Sequence, residues 1–333
     1  CSVRPAGGAS GPAAPVPAGA DAGSGGSGGA AGDGVAYCVP PSGGAAGGVR
    51  RRSRRRCRGG PGSATETTSG RTVPEGHTIH RLAREHNRLL VGHAVHASSP
   101  QGRFVEGAAR IDGRVLEKTE AYGKHLFHRY GDVFLHVHLG LYGKFTVGAL
   151  PAPEPRGALR LRLLADGHWI DLRGPTACEL MEPPEVDAVR DRLGPDPLRR
   201  DARPDLAFDR LSRSRVAIGA LLMDQSVIAG IGNVYRAEIL FRHRVEPHRP
   251  GRDLPRETWD ALWADLVLLM RAGVRAGRIV TTLPADRPRG RLTRDKAHYV
   301  YRRAGLPCRI CGTEVRTEVM VGRNLFWCPT CQR

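Results

Sequence analysis

The sequence has no run of about 18 apolar residues, which excludes a membrane-spanning helix. Eight cysteines in 333 residues are too few for a disulfide scaffold, and aromatic residues make up only 5% of the chain. Acidic residues are also in deficit, since 33 Asp and Glu face 51 Lys and Arg, for a formal net charge of +18. This excess of positive charge indicates a polyanionic partner, either nucleic acid or a membrane surface. The length predicts two domains rather than one.

The first 73 residues lack the composition of a folded domain. They are rich in glycine and arginine, include the run GSGGSGGAAGDG, and contain one aromatic residue, Tyr37. Such a segment cannot bury enough apolar surface to offset its ordering entropy. It also lacks the apolar core of a secretory signal. We therefore expect residues 1–73 to be disordered and outside the active protein. Three origins are open for this segment: a nucleic-acid arm, a transit-like leader or translated upstream DNA.

From Pro74 onward the sequence has the patterns of regular structure. Apolar residues recur at helical spacing from Ile79 to Leu90, which predicts a long N-terminal helix. Short strand patterns follow, of which VFLHVHLG alternates most clearly, and LRLRLLADGHWIDLRG predicts a hairpin around its first Asp-Gly pair. From about residue 205 three helices are predicted, in RVAIGALLMDQ, VYRAEILFRH and TWDALWADLVLLMRAGV. The fold class is therefore α+β.

The C-terminal region contains two Cys-x2-Cys pairs separated by sixteen residues. The four cysteines are Cys308, Cys311, Cys328 and Cys331. Two such pairs around a spacer of hairpin length supply four thiolates in a tetrahedron, which is a closed structural Zn²⁺ site rather than a catalytic one. Free thiols or disulfides are the alternative.

Two further features leave more than one interpretation open. In DQSVIAGIGNVYRAEILF a turn with Gly230 and Gly232 joins two helices, and we expect Asn233 at the N-cap of the second helix. Bare amides at a helix N-terminus bind anions such as a DNA phosphate, although such a turn also serves packing alone. The strand histidines His136 and His138 are either metal ligands or hydrogen-bonded structural residues.

From about Val73 to its end, the chain resembles the formamidopyrimidine-DNA glycosylase/endonuclease VIII family of base-excision repair enzymes. The resemblance rests on five motifs in the same order: Pro-Glu-Gly opening a helix, the GKHLF hairpin, HLGLYG, the QSVIAGIGNVYRAE turn and the four-cysteine finger. The family fold combines an N-terminal β-sandwich and its long N-terminal helix with a helix–two-turns–helix domain and a zinc finger. The resemblance therefore implies a catalytic domain over residues 74–195, a helical DNA-binding domain over 200–290 and the finger over 298–333.

The resemblance implies three catalytic residues. In the family the mature chain starts at the proline that matches Pro74, and its secondary amine attacks C1′ of the damaged nucleotide to form a Schiff base. An α-amino group has a pKa of about 8, well below that of lysine, so more of it is unprotonated at neutral pH. Glu75 is similar to the acid that protonates the sugar oxygen during ring opening. Lys124 in YGKHLF is similar to the family's essential lysine near the lesion.

The same resemblance implies a set of DNA contacts. Leu141 and Tyr142 in HLGLYG lie where the family inserts a wedge into the space left by an extruded nucleotide, with core positions at a strand end as the alternative. Arg173 in DLRG resembles an arginine that the purine-repair branch uses near the orphan base. Asn233 and Arg323 match the turn and the finger positions at which we expect phosphate contacts.

Together these residues imply a bifunctional DNA glycosylase and AP lyase that removes oxidised bases and cuts the strand by β,δ-elimination. The family often has a second Glu where this chain has Thr78, and PEGHTIHRLA with LYG looks more like the endonuclease VIII branch. That branch favours oxidised pyrimidines over 8-oxoguanine. Alternatives are an 8-oxoguanine- or formamidopyrimidine-specific glycosylase, a catalytically silent DNA-binding homologue, and a zinc-ribbon module that binds RNA or ribosomes.

The implied cofactor is one structural Zn²⁺. The implied partner is double-stranded DNA that contains damaged bases or abasic sites, bound by a monomer. The implied location is the cytoplasm, in association with the nucleoid, without a membrane partner.

The start of the active chain is part of this hypothesis. Pro74 is internal in the sequence, and an internal proline nitrogen is an amide that cannot attack C1′. Val73 stands where the family has its initiator Met, and a GUG codon encodes Val internally but Met at a start. We therefore expect the active enzyme to begin at Pro74, with a protease-cleaved arm or an inactive homologue as the alternatives.

Overall fold

Helix α1, Gly76–Leu90, opens the part of the chain that the structure describes. The structure is a computed structural model that describes residues 73–293 and 295–333, all of which belong to one compact unit. The low-complexity segment therefore lies outside the described residues, apart from Val73. None of the helices in the described ranges is long and apolar enough to cross a membrane.

The elements follow α1 in chain order. The first part contains β1 (His96–Ser98), α2 (Val105–Ile111), β2 (Lys118–Tyr122), β3 (His125–Tyr130), β4 (Val133–His138), β5 (Lys144–Ala149), β6 (Leu159–Ala165), β7 (His168–Arg173) and β8 (Ala177–Met181). The second part contains α3 (Pro183–Asp191), α4 (Pro204–Leu211), α5 (Ile218–Leu221), α6 (Asn233–Arg242) and α7 (Arg256–Ala276). The last part contains β9 (Arg316–Met320) and β10 (Arg323–Trp327).

Two antiparallel four-stranded sheets form the first part. Their strand orders are β1-β6-β7-β5 and β2-β3-β4-β8. Both sheets contribute to one apolar core, in which Leu163 and Ile170 from the first sheet join Leu126 and Leu135 from the second, and α1 adds Leu90. This arrangement confirms the predicted β-sandwich with a long N-terminal helix.

The two clearest strand predictions are confirmed. In β4, Leu135 and Val137 enter the shared core, whereas Phe134 points to the opposite face and packs in the cluster that contains α3. β6 and β7 form the predicted hairpin, joined by Asp166 at φ 44° and Gly167 at φ 73°. Positive φ at both central residues is the geometry of a type I′ turn, which matches the twist of the strands.

The helical part differs from the prediction at its first helix. Only Ile218–Leu221 of RVAIGALLMDQ is α-helical, and turns follow it. Polar side chains take over backbone hydrogen bonds there: the Asp224 carboxylate accepts from the Ser226 amide at 2.8 Å, and Gln225 Oε1 accepts from Gly230 N at 3.0 Å. Such local bonds compete with helix formation. The result is a helix–two-turns–helix motif.

The helices α2, α3 and α4 were not predicted by the sequence patterns. Helix α3 nevertheless carries two start signals, because it begins with two prolines and a capping box joins Glu182 to Glu185. The finger is a β9–β10 hairpin between the two cysteine pairs, and Phe326 packs there with Tyr299 and with Phe241 of α6. Helix α6 therefore lies between the helical core and the finger.

Candidate active site

Glycines bring three segments of the candidate site into contact. The Gly76 amide donates to the Gly230 carbonyl at 2.8 Å, and a Cβ on Gly76 would lie only 2.8 Å from the Gly230 Cα. Gly123, at the tip of the β2–β3 hairpin, packs against Ala229 and Gly230 with φ 58°. The start of α1, the hairpin tip and the turn before α6 thus approach each other more closely than side chains would allow.

Glu75 caps α6 from outside that helix. It is only 1% exposed, and its carboxylate accepts hydrogen bonds from Gly232 N at 3.0 Å, Val234 N at 2.8 Å and, at 3.5 Å, Tyr235 N. Burial raises the pKa of Glu75, while Lys124 and these amides oppose the rise. A carboxyl with a raised pKa holds its proton to higher pH, which suits a general acid.

Lys124 lies beside this carboxylate. Its Nζ donates to the Ile231 carbonyl at 2.5 Å. Burial lowers the pKa of Lys124, the Glu75 carboxylate raises it, and Arg323 lowers it further. Lys124 is therefore a half-buried amine of the site and not the solvated lysine that a hairpin tip usually carries.

A cavity of about 390 Å³ collects six of the eight predicted catalytic and DNA-binding residues. Its lining includes Pro74, Glu75, Lys124, Leu141, Asn233 and Arg323. The sandwich, the helix–two-turns–helix motif and the finger each supply part of this wall. The structure thus brings together residues that are up to about 250 positions apart in the sequence.

Asn233 differs from the predicted capping role. The N-cap of α6 is Gly232, and Asn233 is the first helical residue. Its Nδ2 donates to the Asn324 carbonyl at 2.9 Å, and its Oδ1 accepts from Arg236. Because Glu75 already occupies the amides at the helix start, Asn233 is available to fix the finger beside α6, next to Arg323.

The two proposed wedge residues are exposed. Leu141 is 38% exposed and Tyr142 is 73% exposed, in the turn that the hydrogen bond from Gly143 N to Leu139 O closes. Leu141 also lines the cavity, whereas Tyr142 does not. Their exposure argues against the alternative of core positions at a strand end.

Arg173 is not part of the cavity wall. It ends β7, where it donates to Asp171 at 3.0 Å and to the Thr146 hydroxyl at 3.2 Å. The fully buried Asp171 carboxylate also pairs with Arg162 at 2.7 Å. The structure therefore gives Arg173 a place in a structural ion-pair network, and its role near an orphan base stays a prediction.

The four cysteines of the finger form the predicted metal centre. Their sulfur atoms all lie within 4.8 Å of one another, with Cys308 and Cys331 at 3.9 Å and Cys311 and Cys328 at 3.4 Å. A tetrahedral Zn²⁺ with Zn–S bonds of about 2.3 Å places its sulfurs roughly 3.8 Å apart. The donor set fits one Zn²⁺ and leaves no open position, so its role is structural.

The strand histidines are hydrogen-bonded structural residues. His136 Nδ1 lies 2.9 Å from Glu179 Oε1 and its Nε2 lies 2.8 Å from His125, while His138 Nδ1 lies 3.1 Å from the Lys124 carbonyl. Within the described ranges, the finger cysteines are the only group of three or more metal-ligating side chains that converge.

Sequence patterns did not identify several residues of the site. Gln225, Tyr301 and Arg302 line the first cavity, and a second cavity of about 570 Å³ shares Pro74 with it. The spacing of aromatic and basic residues in HYVYRRAG carried no recognisable signal. Glu238, within VYRAE, was also missed; its buried carboxylate binds the amides of Tyr299, Val300 and Tyr301.

Family models match most of the described chain. The formamidopyrimidine-DNA glycosylase N-terminal domain matches residues 73–178, the formamidopyrimidine-DNA glycosylase H2TH domain matches residues 193–284, and the zinc finger found in FPG and IleRS matches residues 305–333. The chain belongs to the formamidopyrimidine-DNA glycosylase/endonuclease VIII family of DNA glycosylases. The family predicted from the sequence motifs is thereby confirmed.

Relatives and solved structures agree with this assignment. Endonuclease 8 1 of Mycobacterium tuberculosis is 54% identical over 275 residues, covering 78% of this chain and all of the relative. Formamidopyrimidine-DNA glycosylase of Thermus thermophilus is 34% identical over 275 residues, covering 78% of this chain and 97% of the relative.

The fold is similar to that of Lactococcus lactis Fpg in a complex with abasic-site DNA, with a TM-score of 0.65 and 22% identity over 78% of this chain and 99% of that chain. It is also similar to MutM in a complex with DNA containing carbocyclic 8-oxo-G, with a TM-score of 0.66 and 22% identity over 78% of this chain and all of that chain. At these identities the likeness concerns the fold.

Proposed function

We propose that this protein is a bifunctional DNA glycosylase and AP lyase that removes oxidised pyrimidines from double-stranded DNA, with the amine of Pro74 as nucleophile. The observation that carries the proposal is the meeting of Pro74, the buried carboxyl of Glu75 and the half-buried amine of Lys124 at one cavity. Schiff-base chemistry beside a phosphodiester needs a nucleophile, an acid and a cation, and these three residues supply them in that order.

The reaction begins at C1′ of the damaged nucleotide. The lone pair of the Pro74 nitrogen forms the N–C1′ bond, and the base departs with the electron pair of the glycosidic bond and takes up a proton. Glu75 donates a proton to the sugar oxygen as the ring opens, which leaves an iminium at C1′. The iminium acidifies the C2′ hydrogen, so successive β- and δ-elimination release the phosphates on both sides.

The walls of the cavity suit a bent duplex with an extruded nucleotide. Lys124 and Arg323 supply positive charge for the phosphates, and Asn233 holds the finger against α6. Leu141 and Tyr142 are exposed apolar side chains that would fill the space left in the base stack. One chain supplies the whole wall, so we propose that it acts as a monomer.

The second cavity is the proposed receptor of the extruded base. It adjoins Pro74, and its lining includes His77, Thr78 and His298. Thr78 stands where the family often has an acid, so this cavity offers a different polar surface to the lesion. The higher identity to an Endonuclease 8 than to the formamidopyrimidine-DNA glycosylases supports the preference for pyrimidines. An incision assay with 8-oxoguanine opposite cytosine as the best substrate would overturn this preference.

The proposal requires a free amine at Pro74. The family model begins at residue 73, and the mycobacterial relative is matched over its whole length by only 78% of this chain. Both findings support an active form that begins at Pro74 and has the three domains 74–195, 200–290 and 298–333. The retained segment 1–73 would convert the nucleophilic amine into an amide, which is the condition for a silent DNA-binding homologue.

Two proteins test this mechanism: one begins at Pro74, and the other retains residues 1–73. Each is incubated with an abasic oligonucleotide and borohydride, which reduces a Schiff base to a stable covalent complex. We expect trapping only with the first protein, and weaker trapping when it carries Pro74→Gly, since glycine replaces the secondary amine by a primary one. Equal trapping by the intact long form would show that another amine is the nucleophile.

A further inference from the structure

The two cavities meet at four residues. Val73, Pro74, Tyr301 and Arg302 line both of them. In the proposed reaction the nucleotide is joined to Pro74 through C1′, the carbon that also carries the base. A nucleotide joined to Pro74 can therefore place its sugar–phosphate in one cavity and its base in the other, with Tyr301 and Arg302 where the two cavities meet.

Both cavities contain cationic side chains, but among the described residues only the second cavity contains buried imidazole nitrogens without a hydrogen-bond partner. Lys124 and Arg323 line the first cavity and suit phosphates. Arg278 and Arg303 line the second cavity together with Thr78 and His298, and His298 Nε2 is one of these unpartnered nitrogens. An unpartnered buried nitrogen is costly unless a ligand binds it, so the second cavity suits the polar edge of a base.

Arg302 occupies a backbone conformation that arginine rarely adopts. Its φ is 56°, and it is the third residue of a turn that the hydrogen bond from Arg303 N to Val300 O closes at 3.0 Å. Turns with a positive φ at this position favour glycine or asparagine. The Glu238 carboxylate holds the turn in place through the amides of Val300 and Tyr301, both at 2.8 Å. A strained residue that its surroundings fix in this way points to a function for its side chain.

The guanidinium of Arg302 packs on an aromatic ring but is not paired with a carboxylate of the described residues. It lies over the Tyr301 ring, with Cζ 5.5 Å from the ring centroid, and the side chain is exposed. It forms no ion pair with a carboxylate of the described residues. Stacking on an aromatic face fixes the plane of a guanidinium and leaves its N–H groups free to donate.

We propose that Arg302 is a specificity-determining residue that donates hydrogen bonds to the carbonyl oxygens of the extruded base. This inference rests on the proposed function and names the group that the base must carry. A guanidinium has five donors and no acceptor, so it binds a carbonyl oxygen beside the glycosidic bond, which oxidised pyrimidines carry at C2 and 8-oxoguanine carries at C8. It also faces the negative charge that develops on the base as the glycosidic bond breaks.

The test separates removal of the base from cleavage at a site that has none. The protein beginning at Pro74 is compared with Arg302→Gly and Arg302→Asn, residues that tolerate a positive φ and therefore relieve the strain. The matched control is Arg244→Gly. Arg244 is also an exposed arginine with a positive φ, 55°, and it lies outside both cavities.

We expect both Arg302 variants to excise thymine glycol about 10- to 100-fold more slowly, the range for a lost charge-assisted hydrogen bond. Cleavage and borohydride trapping on abasic DNA should fall much less than excision, and the Tm should not fall. Arg244→Gly should leave both steps unchanged.

Equal losses on thymine glycol and on abasic DNA would overturn the proposal, because they would indicate a phosphate contact or a structural role. Unchanged excision by Arg302→Gly would overturn it as well. The proposed function fails separately, if the unmutated protein beginning at Pro74 forms no trapped complex with abasic DNA.

Discussion

Two buried glutamates accept hydrogen bonds from backbone amides around helix α6, one at the start of the helix and one within it. At its N-terminus Glu75 accepts from the amides of Gly232, Val234 and Tyr235, one of them at 3.5 Å. Within the helix Glu238 accepts from three amides of residues 299–301 at 2.7–2.8 Å, and also from the Thr281 hydroxyl. The exposed fractions of the two residues are 1% and 0%.

The two glutamates differ in how completely their carboxylate oxygens are hydrogen-bonded. Four donors saturate Glu238, which lines neither of the two cavities and holds the segment that leads into the finger. Glu75 has fewer short hydrogen bonds, lines the first cavity and lies beside Lys124. A saturated carboxylate stabilises a loop, whereas a buried carboxylate that is incompletely hydrogen-bonded keeps a raised pKa and remains able to transfer a proton.

The largest effect should follow from Glu75→Gln. The amide is similar in size but cannot donate the proton that ring opening requires, so we expect base excision to slow by about 10²- to 10⁴-fold. Single-turnover incision of thymine glycol DNA measures this loss, with circular dichroism to show that the fold is retained. A rate within a factor of three of the unmutated protein would show that Glu75 caps α6 and does not act as the proton donor.

A smaller effect, on stability and not on proton transfer, should follow from Glu238→Gln. One acceptor oxygen becomes a donor that faces an amide or hydroxyl donor, which costs about 1–3 kcal/mol of unfolding free energy. Urea denaturation measures the loss, and hydrogen exchange should show faster opening of the amides of residues 299–301. Unchanged stability together with a loss of lyase activity would remove the contrast between the two glutamates.

Sequence patterns predicted the parts of this fold that depend on local periodicity. The alternation in β4, the hairpin at Asp166-Gly167 and the two cysteine pairs all follow from short-range rules. The motifs of the family also identified Pro74, Glu75 and Lys124, which the structure brings to one cavity.

The features that were missed depend on contacts between distant segments. The short α5 reflects hydrogen bonds of Asp224 and Gln225 within the turns, which compete with an apolar pattern that favours a longer helix. The partners of Glu238 are about 60 residues away in the sequence, and the conformation of Arg302 depends on them. No local pattern encodes such pairings, because each residue alone is compatible with a solvated position.

The smallest effect concerns the pH dependence that burial gives to Glu75. Its pKa in the folded protein is raised above the ordinary value of 4.5. A group of this kind contributes stability that is fully present below pH 4.5 and is lost as the pH rises through the folded pKa.

Glutamine does not titrate and loses no stability in this way. The unfolding free energy of Glu75→Gln, taken relative to that of the unmutated protein, should therefore increase with pH above 4.5. The slope should not exceed about 1.4 kcal/mol per pH unit. Urea unfolding of both proteins from pH 4.5 to pH 8 measures the difference, in which the other titrating groups cancel. A difference that is flat or decreases with pH would mean that Lys124 and the amides at the start of α6 outweigh burial in setting the pKa of Glu75.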